Sequence, residues 1–193
     1  MNTHRSFRLT PSAGPITKLI LKVGFIRILV VLLLAAAWGS YLAWDYDQTH
    51  GKKKAQHINC VNNLKQLGLA FRIWSGDNKD RYPCNVSTND GGTMELCARD
   101  QDGFDRNGFL SLQVMSNELS VTMILVCPQD KGRHWATNFG SLRPENVSYR
   151  IRSGKNIDEI NPGEILAVCP VDGNILYCDG SVKVKGAKAG TGF

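Results

Sequence analysis

The sequence predicts an α+β protein in which one long N-terminal helix packs on a small antiparallel sheet. Three observations carry this. The run from Ile28 to Trp44, ILVVLLLAAAWGSYLAW, holds seventeen residues without a charge. Cys60, Leu64, Leu67, Phe71 and Trp74 then follow at steps of 4, 3, 4 and 3, one apolar stripe on a helix. Four short β-rich runs separated by turn residues fill the last third of the chain.

The first element is basic. Residues 1–44 hold Arg5, Arg8, Lys18, Lys22 and Arg27 with no acid, and the remaining 18 basic residues face 17 acids. The net charge of +6 is therefore concentrated ahead of the apolar run, which argues against nucleic-acid binding. It is the asymmetry that places the N-terminus of a membrane helix in the cytoplasm. Residues 1–15 contain Pro11, Gly14 and Pro15 and read as disordered. Ile16, Leu19, Ile20 and Val23 recur at helical spacing and read as an interfacial helix entering the bilayer.

The uncharged run spans about 25 Å at 1.5 Å per residue, and snorkelling Lys22 and Arg27 extend it. Trp38, Tyr41 and Trp44 gather at its far end, as interfacial aromatics do. A cleaved secretory signal, with Ala35 and Ala37 at the cleavage site, is the alternative. Anchoring is preferred because the helical pattern continues past the run. Ser75-Gly76-Asp77-Asn78 should end the helix, with Gly76 in the left-handed conformation.

Residues 84–108 are rich in Asn, Asp and Gly and read as loop. Asp100, Asp102 and Asp105 do not have EF-hand spacing, so a solvated acidic loop is expected. Phe109–Leu119 reads as a short helix, and VTMILVCP, ending at Pro128, as a β-rich run. The strands expected are 147–151, 164–169, 174–178 and 181–185. Asp172-Gly173 and Asp179-Gly180 read as two-residue hairpin turns. That register puts Leu166, Val168, Ile175, Tyr177, Val182 and Val184 on the face that meets the helix, with Cys169 opposite Leu176. The layout is thus a basic leader (1–27), a transmembrane helix (28–44), its amphipathic continuation (45–76), a globular β-rich domain (77–186) and a flexible tail (187–193).

Cys60, Cys84, Cys97, Cys127, Cys169 and Cys178 all follow the apolar run, on the side where disulfides are permitted. No pair has C-x-x-C spacing, so they read as disulfides of unspecified pairing or buried thiols rather than as metal or catalytic residues. His4, His50, His57 and His134 are the only histidines, and none lies in a hydrolase or metalloprotease motif, so no enzyme is expected. No cofactor is expected either, calcium excepted. Asp172, Asn174 and Asp179 are weak candidates for that ion, since loop oxygens suit it.

CVNNLKQLGLAFRIWSGDNKDRYP (60–83), VMSNELSVTMILVCPQDKGR with NFGSLRPENVSY after it, and the closing NILYCDGSV (174–182) together resemble the type II secretion G-like pseudopilins of planctomycete–verrucomicrobial type. The resemblance covers most of residues 55–185. It implies a pilin-like fold, a single-pass bacterial inner-membrane protein with its C-terminal domain in the periplasm, and no enzymatic activity. It also implies assembly with other pseudopilin or pilin-like subunits through the helix, and leader cleavage between Gly24 and Phe25 by a prepilin peptidase. The chain departs from the family at Leu29, where a glutamate would stand, and at Arg27, within what should be apolar sequence. This favours a solitary anchored relative or a capping minor subunit over a major one. A stand-alone membrane-tethered periplasmic binding module, using the loops between Cys84 and Gly108, is the alternative.

Overall fold

A computed structural model describes residues 15–185 of the chain. The leader before Pro15, with His4, and the expected tail 187–193 lie outside the described residues. Helix α1 covers Pro15–Asp77, so residues 15–27 of the expected leader are helical. Pro15 suits a first helical turn, where its missing N–H leaves no bond unmade.

The chain divides into two compact units at Gly51/Lys52. In the first, every residue from Phe25 to Gly51 is exposed, including Trp38, Tyr41 and Trp44. The helix is long and apolar enough here to cross a membrane.

In the second unit, the stripe Cys60, Leu64, Leu67, Phe71 and Trp74 is buried as its spacing predicts, with Ala70 beside it. The end of α1 differs from expectation. Gly76 stays helical, and the left-handed residues are Lys79 and Asp80, at φ 60° and 58°. The Ser75 carbonyl takes both the Asn78 and Asp80 amides at 2.9 Å, and this reversal places the turn beyond the glycine.

The expected helix at 109–119 is split into α2 (Gly108–Val114) and α3 (Ser116–Leu119) around the buried Met115. VTMILVCP is not a strand: Thr122–Leu125 form a 3-10 turn. Its main chain bonds to other segments instead of a ladder, Leu125 accepting the Ser148 amide at 2.9 Å and Val126 accepting Asn63 Nδ2 at 3.3 Å. Burial of Ile124, Leu125 and Cys127 overrides their β propensity.

The four expected strands exist in shortened form: β1 (Arg150–Ile151), β2 (Ile165–Val168), β3 (Ile175–Tyr177) and β4 (Val182–Lys183). They form an antiparallel meander in the order β1-β2-β3-β4. The architecture is therefore α+β, a long N-terminal helix packed with a four-stranded antiparallel sheet.

The register corrects the expected one. Val168 pairs with Ile175 and Ala167 with Leu176, and the Cys169 amide bonds to the Asn174 carbonyl at 2.9 Å. The β2–β3 turn thus has four residues, closed by the Gly173 amide on the Cys169 carbonyl at 2.8 Å. The β3–β4 turn has three, with Gly180 at φ 82° and the Tyr177 amide bonded to the Ser181 carbonyl at 2.9 Å. The four-residue turn leaves the same β2 and β3 residues sharing a side, whereas the odd β3–β4 turn sets Val182 opposite Leu176 instead of Tyr177, because strand side chains alternate with a period of two. The covered face carries Ala167, Cys169, Asn174, Leu176 and Cys178, all fully buried, in place of Val168, Ile175 and Tyr177, while Leu166 is buried as expected because the β2–β3 register shifts between Ile165 and Ala167.

Candidate metal centre

The inward face of the β2–β3 turn meets the start of the buried helix stripe. Four donor atoms converge there: Sγ of Cys60, Cys127 and Cys169 and a carboxylate oxygen of Asp172, all within 4.8 Å of one another. Each comes from a different consequence of the fold. Cys60 opens the apolar stripe of α1. Cys127 follows the Thr122–Leu125 turn, where Pro128 redirects the chain. Cys169 directly follows β2, and Asp172 lies in the four-residue turn beyond it. The three cysteines are completely buried.

The surroundings supply donors to sulfur. The Asp172 amide donates to Cys169 Sγ at 3.4 Å, and Asn174 Nδ2 donates to Cys60 Sγ at 3.7 Å. The Tyr149 hydroxyl lies 4.0 Å from Cys60 Sγ. Cys127 Sγ donates to Asp172 Oδ2 at 3.8 Å, while Asp172 Oδ1 faces His57 Nδ1 at 3.4 Å. Hydrogen bonds from Cys127 and Cys60, with main-chain amides, hold the Cys169 thiol far below its ordinary value. The thiols of Cys60 and Cys127 are pushed up, chiefly by hydrogen bonding among these sulfurs and by burial. Burial, followed by the nearby Cys60, also pushes Tyr149 up.

The other three cysteines lie elsewhere. Cys84 donates to the Ile157 carbonyl at 3.8 Å, and Cys97 donates to the Thr93 carbonyl at 3.3 Å. Cys178 sits in the β3–β4 turn, its carbonyl accepting the Tyr82 hydroxyl. Burial pushes the Cys84 thiol up to about 11 and those of Cys97 and Cys178 up to about 12. All six are free thiols in the structure.

Of the calcium candidates, Asp172 and Asn174 belong to this thiol-lined site. Asn174 turns its Nδ2 to sulfur and its Oδ1 to the Lys185 amide at 3.2 Å. Asp179 is exposed in the other turn and accepts the Ser181 amide at 2.7 Å. The donors that lie together are therefore mostly sulfur. In the acidic loop, Asp100 pairs with Arg106 at 2.6 Å and Asp102 with Arg150 at 2.8 Å. Asp105 there accepts the Ala98 and Asn107 amides at 2.8 and 2.9 Å. Gly24 and Phe25 lie inside α1, with Phe25 exposed.

Sequence reasoning singled out each cysteine but not the grouping, because residues 60, 127 and 169 have no local spacing that announces it. It also read His57 only as one of four histidines outside any catalytic motif. One cue was present: Cys60 on the buried stripe, a Cys-Pro after an apolar run and a Cys-Pro beside an Asp-Gly turn all mark points where the chain enters or leaves the core. Comparison with protein-family profiles, curated proteins and solved structures finds no match to this chain.

Proposed function

We propose that this protein is a membrane-anchored, pseudopilin-like subunit that acts without catalysis, by helix-mediated assembly in a type II secretion or type IV pilus-like system. The carrying observation is the excess of apolar surface along α1. Its first part offers an exposed, membrane-length apolar stretch. Farther along, the side opposite the buried stripe still presents Ile58, Leu69 and Ile73 to solvent. These three fall on one side of the helix at 3.6 residues per turn. A helix with more apolar surface than its own domain covers has a face for a neighbouring helix.

The pilin-like reading of the fold and the pseudopilin-like segments identified in the sequence support the same assignment. The basic residues ahead of the apolar run support an inner-membrane orientation with the N-terminus cytoplasmic and the C-terminal domain periplasmic. Gly24-Phe25 is the bond a prepilin peptidase would cut.

The test is a photo-crosslinking residue at Ile73 in the native host, with intact-mass analysis of the recovered chain. The expected result is an adduct with another copy or with a pilin-like subunit. A chain starting at Phe25 would add that the leader is processed. Only uncrosslinked protein, under conditions that crosslink a known helical assembly, would remove the assembly reading.

A second reading, a tethered binding module, is favoured by one specific observation. Residues 99–103 and 152–157 enclose a polar cleft of about 810 Å³. Arg152 lines it, and its Nε is buried without a hydrogen-bond partner.

A further inference from the structure

We infer that Cys60, Cys127, Cys169 and Asp172 form a structural zinc(II) site of three thiolates and one carboxylate. Zinc takes four ligands at about 2.3 Å for sulfur and about 2.0–2.2 Å for carboxylate oxygen. A tetrahedron of that size has edges of about 3.5–3.8 Å. The Cys127–Asp172 edge is already 3.8 Å, and no pair of donors exceeds 4.8 Å. Side-chain rotations that move each donor by about 1 Å or less close the site around an ion.

The donor chemistry selects the metal. Three sulfurs exclude calcium and magnesium, which take oxygen, and a closed S₃O tetrahedron suits zinc, which has no geometric preference of its own. A disulfide would use two of the sulfurs, leaving the third thiol and the carboxylate beside it without a shared purpose. The outer groups are those a metal site requires. The Asp172 amide and Asn174 Nδ2 donate to ligand sulfurs, and His57 lies on the far oxygen of Asp172, fixing which oxygen faces the ion. Exclusion of water by Leu64, Leu166 and Leu176, all completely buried in the same core, protects the thiolates.

Binding forms three Zn–S bonds and one Zn–O bond. Each ligand thiol that carries a proton releases it to solvent, and no electron is transferred. The ion would join α1, the Cys127 segment and the β2–β3 turn, three parts of the chain far apart in sequence. The inference is independent of the assembly reading.

The experiment titrates zinc chloride into the reduced, metal-free full-length protein in detergent. Bound metal is measured by mass spectrometry, and cysteine protection by alkylation. One zinc per chain and protection of Cys60, Cys127 and Cys169 are expected, with cobalt(II) giving thiolate charge-transfer absorption in the same site. Cys127→Ser should abolish uptake, and Cys97→Ser should leave it unchanged. Asp172→Asn, at a turn where the fold should survive, should weaken binding on the order of tenfold to a hundredfold. Three results overturn the inference: no uptake by the reduced wild type, undiminished uptake by Cys127→Ser, or a disulfide among the three cysteines in protein isolated from its host.

Discussion

Tyr82 is fully buried with its ring edge-on to Phe71 at 5.1 Å between centroids, and its hydroxyl donates to the Cys178 carbonyl. Burial pushes its ionisation up, so it acts as a neutral donor throughout the physiological range. Tyr82→Phe keeps the ring and removes the donor, and should cost about 1–2 kcal/mol in urea unfolding by leaving a buried carbonyl unpaired. Glu159 serves a comparable purpose at the surface. It accepts Arg72 Nε at 2.8 Å and the buried Ser75 hydroxyl at 2.7 Å, and these two, Arg72 first, hold it below the ordinary value of 4.5. Its contribution is present above that ordinary value and is lost as pH falls through the depressed one. Because Arg72 is half exposed, the gain is at most about 1 kcal/mol. Urea midpoints of wild type and Glu159→Gln should differ at pH 7 and converge as the pH approaches 3.

Helix α1 lies tightly against the sheet at Gly68. A Cβ there would lie 2.8 Å from Leu176 Cδ1 and 3.0 Å from the Gly180 Cα. The second contact is with main chain in a turn whose own glycine has φ 82°, so it has little freedom to yield. Gly68→Ala should therefore destabilise by about 1–3 kcal/mol through overpacking. Helix propensity alone would make the same change stabilising by about 1 kcal/mol. A thermal melt of this one variant gives the sign and so tests the packing directly. The sheet turns belong to the same scale. The three-residue β3–β4 turn sets Val182 opposite Leu176, on the same side of the sheet as Cys169 and Asn174, where it packs against the core.

The two compact units meet within the helix sequence, at Gly51/Lys52. The core residues, from Cys60 to Cys178, all belong to the second. A chain beginning at Lys52 should thus unfold cooperatively and remain in the soluble fraction, whereas the whole chain should sediment with membranes and require detergent. Fractionation and circular dichroism of the two check this. Failure of the shorter chain to fold would mean that the residues before Lys52 supply stability beyond anchoring.

The sequence by itself determined the membrane-length helix, the buried stripe from Cys60 to Trp74 and the positions of all four strands. Each of these rests on local periodicity, and a side chain's spacing along a helix or strand is set by the backbone alone. It also marked Cys60 as a core residue. Only the tertiary structure decided the sheet register, since Asp-Gly is compatible with turns of more than one length, and the inward face, since alternation along a strand leaves open which side the helix covers. It alone turned VTMILVCP from strand to 3-10 turn, because burial outweighed local preference. The convergence of Cys60, Cys127, Cys169 and Asp172 was illegible for the deepest reason: it is a property of how three distant segments meet. No spacing within any one of them encodes a distance in space.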